Sequence, residues 1–138
     1  MDSTRRKSVL EKIALKNIAD TAKLKTQLTE QQSHLIEVQD LIGRIKDLQA
    51  NAQESQFENP TELRAARWYS LKLSEQFTIL NNRIEFIEIE IDNLRSMSRA
   101  HLFRNTKLEK LIAEAKSMIL LERDRDQDKK ANVLRFKA

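Results

Sequence analysis

The chain has 138 residues, with 25 Lys or Arg against 21 Asp or Glu and a net charge of +4, a length that suits one ordinary domain. One Gly, one Pro, no Cys and 5% aromatic residues exclude a turn-rich fold, a disulfide framework and a thiolate metal site, and leave too little bulk for a large globular core. Apolar residues make up 40% and charged residues 33%, with a mean hydropathy of -0.61. That is enough for a narrow apolar seam, and the regular spacing of the apolar residues argues against disorder.

The N-terminus is basic at Arg5, Arg6 and Lys7, but Glu11, Lys12 and Lys16 break any apolar core that a signal peptide needs. A first helix is expected over about 4–56. Leu24, Val38, Ile45 and Ala52 form one row, with Gln31 as its polar member. Leu28, Leu35 and Ile42 form the other, ending at Gln49. Alternating steps of three and four keep both rows on one stripe facing a partner helix. Before residue 24 the phase reads as looser: Leu10, Ala14, Asn17 and Thr21 continue the rows, while Ile13, Leu15 and Ile18 lie off them. Gly43 is a tolerated weak point inside this helix.

A bend is expected over 57–60. Asn59 suits a helix N-cap, Pro60 the first helical position, and Glu62 the acid of a capping box. The second helix is expected over about 60–133, on a sustained heptad. Leu73, Leu80, Ile87, Leu94, His101, Leu108 and Ala115 are seven apart, as are Phe77, Ile84, Ile91, Ser98, Asn105, Ile112 and Ile119. The pattern weakens only at Ser98, His101 and Asn105.

Two long helices joined by a short bend predict an all-α fold, a two-helix antiparallel coiled-coil hairpin in a single domain over 1–138. Folding about the bend places residue i near 117 minus i. Leu35 then meets the neighbourhood of Asn82, and the polar break at 98–105 meets residues 12–19. Residues 122–130 have few seam positions and are expected to fray. The longest purely apolar run, Met118 to Leu121, is far too short to span a bilayer.

No catalytic machinery is expected. The two histidines, His34 and His101, are not brought together, and no phosphate loop, zinc motif or nucleophile elbow is present. No cofactor, metal or small-molecule substrate is implied. His101 reads as a polar layer that sets register, with a pH switch as the other reading; His34 reads as a surface residue.

Charge is unevenly spread. Residues 1–25 carry seven basic and three acidic residues, 26–94 six and twelve, and 95–138 twelve and six. In a hairpin the terminal end is then basic and the bend end acidic. Either this is a solvated coiled-coil surface, or the basic end, with Arg5, Arg6, Lys7, Lys129 and Lys130, docks into an acidic partner. Ile79, Phe86 and Ile89 point away from the seam as a second stripe. Such a stripe buries a homodimer interface, packs locally or meets another protein. Arg67, Trp68 and Leu71 follow the bend; Trp68 either caps the coiled coil or anchors a partner.

A basic first helix, a polar connector, Arg-Trp just inside a long second helix and a charged tail form a combination that resembles the flagellar export protein FliJ and the related stalk proteins of type III secretion injectisomes. Arg67-Trp68-Tyr69-Ser70-Leu71 resembles the start of their second helix. Asp126-Gln127-Asp128-Lys129-Lys130 with Phe136 is similar to their tail. The resemblance implies a non-catalytic stalk and adaptor of type III export. The terminal end would bind the export ATPase hexamer and help assemble or stimulate it. The half with Trp68, Ile79, Phe86 and Ile89 would meet the export gate protein or export chaperones. It also implies a cytoplasmic protein, with a membrane-peripheral position at the export apparatus as the alternative. Two other readings stay open: a homodimeric coiled-coil spacer, and a nucleic-acid-binding hairpin. The latter is disfavoured by interspersed acids and few aromatics for stacking.

Overall fold

A computed structural model describes residues 2–54 and 56–137. Within them α1 spans Ser3–Glu54 and α2 spans Pro60–Lys137, 52 and 78 residues long, and no strand is present. The two helices pack against each other as an antiparallel hairpin, the all-α fold expected from the heptads.

Caps fix where each helix begins. At α1, the Thr4 amide faces the Asp2 carboxylate at 3.4 Å and the Arg6 amide donates to the Asp2 carbonyl at 2.9 Å. At α2, Asn59 accepts from the Glu62 amide at 2.8 Å, while Glu62 accepts from the Glu58 amide at 3.0 Å. This is a capping box in which the acid reaches one residue further back than the usual N-cap amide. Pro60 opens the helix, where its missing N–H breaks no bond. At its other end α2 stays helical to Lys137, beyond the expected 133. The segment 122–135 has neither Gly nor Pro and is rich in good helix formers. All of it is exposed, and Glu122, at its start, bonds back to Ser3 of α1. The side chain of Phe136 lies outside the described residues.

The seam follows the three-four rows throughout. Every row position of α1 from Ser3 to Ala52, and of α2 from Leu73 to Ile119, is buried or half-buried. The looser phase expected before residue 24 is therefore not found. Ile13, Leu15 and Ile18 are 48%, 68% and 55% exposed, and the rows run past them through Leu10, Ala14, Asn17 and Thr21. Apolar residues off the rows belong to the outer surface and do not shift the packing face.

The chain divides into two units. In the unit Lys25–Ser96, Val38, Ile42, Ile87 and Ile91 form the core, with Leu28, Leu35, Phe77, Leu80 and Ile84 packed against it. Leu35 thus shares a cluster with Leu80 and Ile84, the residues on either side of Asn82 in the expected register. Each such side chain, once buried, contributes about 1.5–3 kcal/mol. Among the described residues no large side chain is fully buried, as expected of a two-helix seam open to water on both flanks. Lys46 extends its ammonium to 5.8 Å from the centroid of the Phe77 ring. Near the bend, Leu48, Ala52, Phe57, Ala66 and Tyr69 line one hollow.

The other unit comprises Met1–Leu24 and Met97–Ala138. Its seam holds Ala115, 5% exposed, and the polar residues Asn17, His101 and Asn105. Ser3 Oγ donates to Glu122 Oε1 at 2.7 Å. The 117-minus-i rule puts Ser3 near 114, and Ser3 lines one hollow with Glu114, Ala115 and Met118, the Glu122 side chain reaching back to it.

Candidate functional site

In the unit of the two termini the seam holds a built polar layer. Asn17 is 7% exposed, the only buried polar residue among those described. Its Nδ2 donates to the His101 carbonyl at 3.1 Å and to Asn105 Oδ1, and its Oδ1 lies 2.7 Å from His101 Nδ1. The amide nitrogen is spent on two acceptors, so Oδ1 must accept and Nδ1 must carry a proton. Both the neutral Nδ1–H tautomer and the imidazolium satisfy that bond. No buried side-chain nitrogen or oxygen among the described residues lacks a partner. A satisfied polar layer of this kind specifies which residues face one another, because sliding a helix by a turn would strand its polar groups. The layer confirms the meeting of 98–105 with 12–19. Asn17 is its centre, and the sequence reading treated it only as a row member.

The proposed partner contacts all lie at the surface to some degree. Arg5, Arg6, Lys129 and Lys130 are exposed; Lys7 is half-buried and pairs with Glu11 at 3.7 Å. Such a pair is worth little in water. Arg67 is exposed, as are Leu71 and Ile79, at 57% and 56%. Phe86 and Ile89 are 71% and 60% exposed. Their side chains stand off the seam because c and f positions of a heptad face away from a and d. Trp68, read as a cap or an anchor, does not cap: it is 62% exposed, with the Lys72 ammonium 5.7 Å from its ring centroid. Phe57 and Tyr69 line the hollow by the bend instead, since Trp68 falls on the outer face and Tyr69 beside the seam. His34 is exposed, as expected.

The sequence reading missed Phe103, 65% exposed, with the Lys107 ammonium 5.2 Å from its ring centroid. The signal was available: Phe103 lies two heptads after Ile89 and so on the same outer face. Charge separates with the units. Residues 1–24 and 97–138 carry 17 basic and 9 acidic residues; residues 25–96 carry 8 and 12. Among the described residues, no group of three or more His, Asp or Glu is placed to hold a metal ion, and no helix is long and apolar enough to cross a membrane.

No family model, curated protein or solved structure matches the chain.

Proposed function

We propose that this protein is a non-catalytic stalk and adaptor of a type III export apparatus, of the kind formed by FliJ. The observation that carries the reading is the helical hairpin whose terminal unit is basic and whose other unit is acidic, with the apolar residues Trp68, Ile79, Phe86 and Ile89 turned outward. A basic helical end suits docking into an acidic ring by electrostatic steering, which raises association rate and selects the partner. Exposed aromatic and aliphatic residues suit a second contact with an export gate protein or chaperone, because such side chains dominate binding energy once covered. The proposed location is cytoplasmic, peripheral to the membrane when the apparatus is engaged.

The test is the ATP hydrolysis rate and subunit assembly of the host's export ATPase, titrated with this protein. Saturable stimulation or ring assembly is expected, abolished by Arg5→Glu/Arg6→Glu/Lys7→Glu with helicity unchanged. An unchanged rate and no association across the titration would reject the reading.

A further inference from the structure

Beside the polar layer, within the unit of the two termini, the two helices enclose a hollow of about 380 Å³ that is open to solvent. Its lining is graded from apolar to charged. The bonds from Asn17 to His101 and Asn105 fix which residues face one another. Antiparallel packing then sets Ile13, one turn before Asn17, towards Leu108 and Leu111, with Lys16 and Arg104 nearer the layer. Ile13 is 48% exposed, and Leu108 and Leu111 are half-buried, so the apolar end still presents surface to water. At the charged end Lys16, Arg104 and Lys107 stand against one carboxylate, Asp20. None of these four is in an ion pair among the described residues. Lys107 holds its ammonium over the Phe103 ring, which leaves Lys16 and Arg104, both exposed, as the cations that face an incoming group.

We propose that this hollow is a docking site for an acidic amphipathic helix of another protein. The partner seats an apolar side chain against Ile13, Leu108 and Leu111 and, one turn along, a carboxylate between Lys16 and Arg104. Spacing supports a helix. Ile13 and Lys16 are about one turn apart on α1, as are Leu108 and Arg104 on α2, and a helix repeats its side chains on one face at the same interval. Charge sets the sign, because three cations against one acid attract a carboxylate and oppose a further ammonium. Asp20 sets the amount: it lines the same hollow, so a singly charged carboxylate is accommodated where a phosphate dianion would be set against it. The floor is preorganised, since the satisfied polar layer holds both helices in register before any partner arrives. This site lies apart from Arg5, Arg6 and Lys7, goes beyond the stalk reading and does not depend on it.

The experiment is proton–nitrogen NMR of the imidazole rings in the full chain, titrated with a synthetic helical peptide that carries Leu and Glu one turn apart. The chain has two histidines. His101 lines the hollow, and His34 is exposed in the other unit, so each binding event reports its own position. The His101 signals should move saturably while those of His34 stay fixed, and added salt should weaken the binding. Lys16→Glu/Arg104→Glu should raise the dissociation constant about tenfold or more, with the circular dichroism of the parent. Asp20→Asn should lower it, because a competing carboxylate is removed from the hollow. Arg5→Glu/Arg6→Glu/Lys7→Glu should bind the peptide as the parent does at physiological salt, which separates this site from the contact proposed for the export ATPase. Unmoved His101 signals at saturating peptide would overturn the proposal. So would equal binding of a peptide with Gln in place of Glu, or of one with Ala in place of Leu, since the hollow would then read neither charge nor apolar surface.

Discussion

Asn17 shows how much one polar side chain can decide in a narrow seam. Its amide is bonded on both sides to α2, so truncation strands His101 and Asn105 together. Asn17→Ala is expected to lower stability by about 0.5–1.5 kcal/mol, the net worth of a hydrogen bond to the half-buried His101 and Asn105, read as a lower urea midpoint. Replacing all three layer residues by Leu or Ile should instead raise the midpoint, because an apolar layer buries surface without orphaned groups. The same bonding fixes the imidazole. Nitrogen NMR of neutral His101 is expected to report the Nδ1–H tautomer, and an Nε2–H form would show that the layer is bonded differently. The sequence displayed His101 and Asn105 as breaks in a heptad. It hid their partner, because cross-helix bonding depends on a stagger that the heptad alone does not specify. Asn59, by contrast, was legible as a cap from its neighbours Pro60 and Glu62, since capping is local. Asn59→Ala should cost about 1 kcal/mol, measured by thermal unfolding.

Each helix divides its apolar residues between folding and contact. Those on the three-four rows hold the hairpin together, and most of those off the rows stay in water. Ile87→Ala and Ile91→Ala, both in the core of the Lys25–Ser96 unit, should each destabilise by about 2–5 kcal/mol. Phe86→Ala and Ile89→Ala, on the outer face of the same helix, should each change the stability of the isolated chain by less than about 0.5 kcal/mol. Chemical denaturation at low protein concentration separates the two sets, and equal losses would make the outer stripe structural. Gly43 is exposed inside α1, and a methyl group placed on it meets no atom within 4 Å. Gly43→Ala should therefore stabilise the helix by about 1 kcal/mol. The element boundaries were readable because Pro60 and the heptads are strong, periodic signals. The phase of α1 before residue 24 was misread because Ile13, Leu15 and Ile18 are apolar without being seam residues. Composition cannot distinguish an apolar contact surface from a core until the opposite helix is in place.

Taken whole, the molecule is an antiparallel helical hairpin with a basic unit of both termini and an acidic unit containing the bend. Its described features are those of surfaces: charge, exposed aromatic side chains and a register held by one polar layer. The stalk reading draws those features into one role, with the terminal unit in the export ATPase and the outer face of α2 left for other partners. The most direct measurement is the stoichiometry with which this protein co-sediments with the assembled export ATPase at physiological salt. One chain per ring is the expected result, with binding weakened by added salt and lost in Arg5→Glu/Arg6→Glu/Lys7→Glu. Absence from the ATPase peak at saturating concentration, or one chain bound to every ATPase subunit, would contradict a stalk seated in the ring.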